Sequence, residues 1–93
     1  MKLIEVIADI GSFSEEDTIY VAEPWSTEAL AVVSPEPQDG GLPDAARVGG
    51  MEYFLEVAIA KDFLADLKRL KSIEFSTDEA KTKRLIHYAI NDA

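Results

Sequence analysis

Met51-Glu52-Tyr53-Phe54-Leu55-Glu56-Val57-Ala58-Ile59-Ala60 runs without a break into Lys61-Asp62-Phe63-Leu64-Ala65-Asp66-Leu67-Lys68-Arg69-Leu70, and the hydrophobic period changes between the two halves. A repeat of two in the first half puts Tyr53, Leu55, Val57 and Ile59 on one face, and a helical repeat in the second stacks Phe63, Leu67 and Leu70. The spacing predicts a strand that leads straight into a helix, with Glu52 and Glu56 at the outward positions of an edge or partly exposed strand.

Before this unit, Leu3, Val6, Ile7 and Ile10 fall on one helical face, with Ile4 and Ala8 at its margin and Lys2, Glu5 and Asp9 opposite. A strand would mix these classes, so a helix over Leu3 to Ile10 is expected, stopped by Gly11. Ser14-Glu15-Glu16-Asp17 is a polar turn in which the Ser14 hydroxyl caps a short helical turn. Thr18 to Glu23 is rich in β-branched and aromatic residues and reads as a strand closed by Pro24, with Trp25 just beyond it. Ala29 to Ser34 is a second short apolar run, closed by Pro35 and Pro37, and a hairpin joins the two.

Pro35 to Gly50 holds three of the four prolines and four of the five glycines and has no periodicity, so it reads as a long flexible loop. After Leu70, Ser72 to Phe75 is a short connection, and Ser76-Thr77-Asp78-Glu79 matches a capping box with Ser76 as cap and Glu79 reaching back. The last helix then carries Thr82, Leu85, Ile86, Ala89 and Ile90 on its buried face, Arg84, His87 and Asn91 opposite, and Lys81 and Tyr88 on the flanks. The predicted fold is α+β: a small, mainly antiparallel three-stranded sheet packed by helices, in the order α-β-β-β-α-α.

A chain of 93 residues hides only about 60 to 65 % of its unfolded surface, so one domain over 1–93 is expected. The hydrophobic share of 47 % against 29 % charged residues is that of a protein that folds alone. Without cysteine there is no disulfide, thiolate metal site or thiol nucleophile, which fits the cytoplasm. Glu5 and Asp9 interrupt the apolar start as no signal peptide would, and the longest uncharged run, Ala29 to Pro35, is far short of the roughly 20 residues that span a bilayer. No membrane role is expected.

The net charge of −9 sits in the first part of the chain. Residues 1–56 hold twelve acids against Lys2 and Arg47, whereas residues 57–93 hold six acids against seven bases. A field of that sign repels phosphate backbones, so nucleic acid is not an expected partner. The basic residues Lys68, Arg69, Lys71, Lys81, Lys83 and Arg84 are interleaved with Asp66, Asp78 and Glu79 and read as a solvated, salt-bridged face.

Catalytic signatures are missing from the pattern. His87 is the only histidine and lies beside Lys83, Arg84 and Asn91 on a polar helix face, without a serine or threonine partner. One imidazole with scattered carboxylates does not make a nitrogen or sulfur metal site. The contiguous Glu15-Glu16-Asp17 run and the Asp39 to Asp44 segment do not match a calcium loop, and Gly40-Gly41 and Gly49-Gly50 do not match a phosphate loop. The expectation is no enzyme, no catalytic residue, no cofactor and no metal, with carboxylate-dependent catalysis the last alternative.

What remains is Trp25 surrounded in sequence by Glu15, Glu16, Asp17, Glu23, Glu28, Glu36, Asp39 and Asp44. A tryptophan with an acidic rim is the composition of an interface anchor for a basic partner, and it is equally that of a lid over the core. The element order, Tyr20-Val21-Ala22-Glu23-Pro24-Trp25, the Tyr53-Phe54-Leu55 strand and the terminal His87-Tyr88-Ala89-Ile90-Asn91-Asp92-Ala93 resemble a group of small acidic bacterial domains of unknown function, some similar to toxin-immunity proteins. The resemblance implies no active site. It implies an interaction module, in its narrower form an immunity-like inhibitor that covers the cleft of a basic protein partner, a toxin among the options. The alternative is a small structural or dimerising domain, a homodimer included, whose acidity serves solubility alone.

Overall fold

The computed structural model describes residues 1–69 and 77–91. Three strands, β1 (Asp17–Ala22), β2 (Ala31–Pro35) and β3 (Met51–Glu56), form one antiparallel sheet in the order β2-β1-β3. The hairpin register sets Thr18 opposite Ser34 and Tyr20 opposite Val32, while β3 returns to pair with the other edge of β1. Helices α1 (Leu3–Ala8), α3 (Val57–Arg69) and α4 (Asp78–Asn91) pack on one face of this sheet, and a short helix, α2 (Asp44–Val48), packs on the other. The α+β class and the predicted order stand, with α2 added between the second and third strands.

A strand does run straight into a helix within Met51 to Leu70, but the junction falls four residues earlier than the period change after Ala60: α3 begins at Val57, directly after the last residue of β3, so Val57 and Ile59 are helical. The predicted face does not survive intact. Ile19 pairs with Leu55 but Tyr20 pairs with Tyr53, so Phe54 is an extra residue in a β-bulge. The bulge turns Phe54 and Leu55 both toward the helices, where they are buried, and leaves Tyr53 43 % exposed on the other side. Strict alternation fails here because one inserted residue flips every side chain beyond it.

In α1, Leu3, Val6 and Ile7 are buried as expected, and the Glu5 carboxylate accepts the Lys2 backbone N–H at 2.7 Å. The helix ends at Ala8, short of Ile10, because Asp9 leaves helical geometry and a 3-10 turn over Ile10–Ser12 follows, with Gly11 inside it. Ser12 donates to the Asp9 carboxylate at 2.9 Å and holds that turn. Ser14 caps no helical turn: its hydroxyl accepts the Glu16 N–H at 3.2 Å in a tight turn that enters β1. The chain start pairs with the segment that leads into β2, with Lys2 bridged to Leu30, Ala31 N–H bonded to Met1 O at 2.7 Å and Leu3 N–H to Ala29 O at 2.8 Å.

Within 35–50, α2 corrects the reading of an aperiodic loop. Five helical residues are too few to show a period, yet Ala46 is fully buried against Tyr20 and Met51. Gly50, at φ +66°, makes the turn from α2 into β3 that a side-chain-bearing residue would strain. Ser76 and the Ser72 to Phe75 connection lie outside the described residues. The hydroxyl that caps α4 is that of Thr77, which accepts the Ala80 N–H at 3.1 Å. Thr82 and Leu85 are buried in α4, and Tyr88 turns inward to meet Phe63 at a ring separation of 4.7 Å. Ile90 is 63 % exposed instead of buried, since it lies roughly 90° around the helix from the centre of the buried stripe.

Candidate functional site

The chain leaves β1 at Ala22 and crosses a cis Glu23–Pro24 bond to Trp25, which caps one end of the helix-covered core. The indole is half-buried. Its N–H donates to the Val21 carbonyl at 3.2 Å, and its ring meets Phe54 edge to face at 5.0 Å. Trp25 therefore packs against the core on one side and leaves its other side at the surface.

Two open depressions flank it. One, of about 290 Å³, is lined by Trp25, Ser26, Thr27, Lys83 and Ile86. The other, of about 360 Å³, is lined by Glu23, Pro24, Trp25 and Ile90. Lys83 on the first is engaged by Glu79 at 3.5 Å, so that rim carries its own cation. The second rim is acidic, because Glu52 stands against Glu23. Hydrogen bonding to Glu23, and then the Glu23 charge, hold the Glu52 carboxyl above the ordinary carboxylate range. Neither carboxylate is ion-paired to a base among the described residues. An apolar trough with Glu23 in its lining and Glu52 beside Glu23 suits an aliphatic stem ending in a positive charge.

Of the nine residues selected from the sequence, the structure brings Glu23 and Trp25 together here. Glu28 is occupied by Lys2 at 2.7 Å, an exposed pair that raises the Lys2 pKa through that bond. Asp44 is engaged by Arg47 on α2, and the Asp39 carboxylate accepts the Gly41 N–H at 2.9 Å within its own turn. Glu15, Glu16, Asp17 and Glu36 collect at the opposite end of the sheet, where Asp17 faces Pro35 across the hairpin. Six residues of β1, about 20 Å, separate the two groups. Glu52 was missed because its approach to Glu23 depends on the β1–β3 register, in which Val21 faces Glu52 beyond the bulge. The available signal was the pairing of Met51-Glu52 with the end of Thr18 to Glu23.

His87 is exposed, with Nδ1 at 3.2 Å from the Arg84 guanidinium. Among the described residues no three histidine, cysteine or acidic side chains converge to hold a metal ion, and no helix is long and apolar enough to cross a membrane. No family model, curated protein or solved structure matches the chain.

Proposed function

We propose that the protein is an interaction module that binds a basic segment of a protein partner at the Trp25, Pro24 and Ile90 trough, with Glu23 and Glu52 receiving the charge. The observation that carries this is the carboxylate pair: two like charges are held together at an apolar edge with no basic partner among the described residues. A cation between them would relieve that repulsion. In its narrower form the proposal is an immunity-like inhibitor of a basic toxin, in the cytoplasm, supported by the absence of cysteine and by the acidic first part of the chain.

Affinity capture from an extract of the source cells tests it, run at low salt and at about 0.5 M salt, where screening shortens the field to roughly 4 Å. The expected result is a basic protein retained at low salt, released at high salt and lost with Trp25→Ala. Retention that ignores both salt and Trp25→Ala would sink the proposal. Exposed Ile90 beside Trp25 favours a second reading, self-association through the same trough. A sedimentation mass that doubles with concentration and reverts with Ile90→Lys would select it.

A further inference from the structure

The two depressions beside Trp25 lie end to end along α4. Lys83 and Ile86 line the first, Ile90 lines the second, and Trp25 belongs to both. Those three α4 residues follow one another at spacings of three and four, so they share a side of the helix. At about 1.5 Å of rise per residue, the groove that they line is roughly 10 Å long. Its two ends differ in charge. At the Ile90 end stands Glu23, with Glu52 against it. At the other end the Lys83 ammonium shares the lining with Ser26 and Thr27. The backbone fixes these two residues, because the Ser26 carbonyl accepts the Ala29 N–H at 3.1 Å and the Thr27 carbonyl accepts the Ile4 N–H at 3.0 Å. Their hydroxyls have no hydrogen-bond partner among the described residues. The pair that Lys83 forms with Glu79, at 3.5 Å between exposed groups, is a loose one, and an ammonium with three donors has room for a second acceptor.

We propose that this groove reads both signs of charge, and that its occupant is an extended segment of a partner protein with a carboxylate and a cation on either side of an apolar side chain. The carboxylate meets Lys83 and the Ser26 and Thr27 hydroxyls, the apolar side chain lies on Trp25 and Ile86, and the cation goes to Glu23 and Glu52. An extended chain advances about 3.3 Å per residue, so a groove of roughly 10 Å sets the acid and the base three residues apart. Charge complementarity selects this occupant. A segment that is basic throughout places a like charge on Lys83, and a polyanion meets Glu23 and Glu52. The inference rests on the trough receiving a basic segment and adds the acid that orients it: with opposite charges at its ends, the groove accepts the segment in one sense along α4.

The test is a titration of the 15N-labelled full chain with three blocked peptides, Glu-Leu-Ala-Lys, Gln-Leu-Ala-Lys and Glu-Leu-Ala-Gln, at about 10 mM ionic strength, where the field reaches roughly 30 Å. The first peptide should shift the Trp25 indole N–H and the Lys83, Ile86 and Ile90 amides. Replacing its glutamate by glutamine should weaken binding about fivefold, the upper range for an exposed charge pair. In Lys83→Met, which keeps the aliphatic stem, the glutamate and glutamine peptides should bind alike. Glu79→Gln, which frees the ammonium, should widen the gap between them, and loss of the peptide lysine should weaken binding in every variant. Equal affinity of the first two peptides for the wild type would overturn this inference and leave the basic-segment reading standing. A gap that persists in Lys83→Met would also overturn it, because the carboxylate would then be received elsewhere. No shift around Trp25 with any peptide would overturn both readings. Shifts that follow the protein's own concentration instead of the peptide's would give the groove to a second copy and contradict the proposal.

Discussion

The two faces of the sheet are made by the same three strands and have opposite characters. Toward α1, α3 and α4, β1 presents Ile19 and Val21, which join Leu3, Val6, Phe54, Leu55 and Leu85 in one apolar cluster. Toward α2, the same strand presents Thr18, Tyr20 and Ala22, whose cross-strand neighbours are Ser34, Tyr53, Glu56 and Met51. One face is a core that leaves nothing to be bonded. The other is polar and aromatic, with Thr18 and Tyr20 buried, Tyr53 part exposed and α2 packed over part of it. The bulge makes this division by sending Phe54 one way, into the core, and Tyr53 the other, where it stays part exposed.

The largest test of this comparison is a pair of truncations on adjacent residues. Phe54→Ala should cost about 3–5 kcal/mol, the usual range for a buried phenylalanine, whereas Tyr53→Ala should cost under about 1 kcal/mol. Denaturant midpoints with unchanged slopes read both, and the reverse order would restore the simple alternation and remove the bulge from the account. Next is Ala46→Leu, which forces extra volume under α2. A loss of about 1–3 kcal/mol is expected, and no loss would mean that α2 does not close its half of the face. Smaller, and opposite in sign, is Tyr20→Phe, which deletes a buried oxygen with no hydrogen-bond partner in good geometry among the described residues and should stabilise by about 1 kcal/mol in thermal unfolding. A clear destabilisation would show that the hydroxyl is already satisfied.

The smallest effect is in pH. Because the folded-state pKa of Glu52 is raised by Glu23, the folded protein binds protons more tightly there than the unfolded chain does. Stability from this group is therefore fully present below the ordinary carboxylate pKa and is lost as pH rises through the raised value. Glu52→Gln should flatten that part of the stability profile just above pH 4.5, and an unchanged profile would separate the two carboxylates.

Much of the fold was legible because periodicity reports burial. The amphipathic start, the strand closed by Pro24 and the existence of a strand leading directly into a helix follow from residue spacing, while the junction itself lies at Glu56 and Val57 instead of after Ala60. Three things were not. The bulge depends on pairing with β1, which no local period records; α2 is too short to have one; and Ile90 sits at the margin of its stripe. Of the candidate site, the closeness of Glu23 to Trp25 was legible in the sequence and the rest was not, since sequence neighbours such as Glu28 and Asp44 are held by Lys2 and Arg47 while distant Glu52 stands beside Glu23.

The central claim is that the Glu23 and Glu52 pair receives a cation from a protein partner. The most direct measurement is the affinity of the captured partner as a function of salt, for the wild type and for Glu23→Gln with Glu52→Gln. The account predicts weaker binding and a shallower salt dependence in the double variant. Identical affinity and an identical salt slope in the two proteins would contradict it.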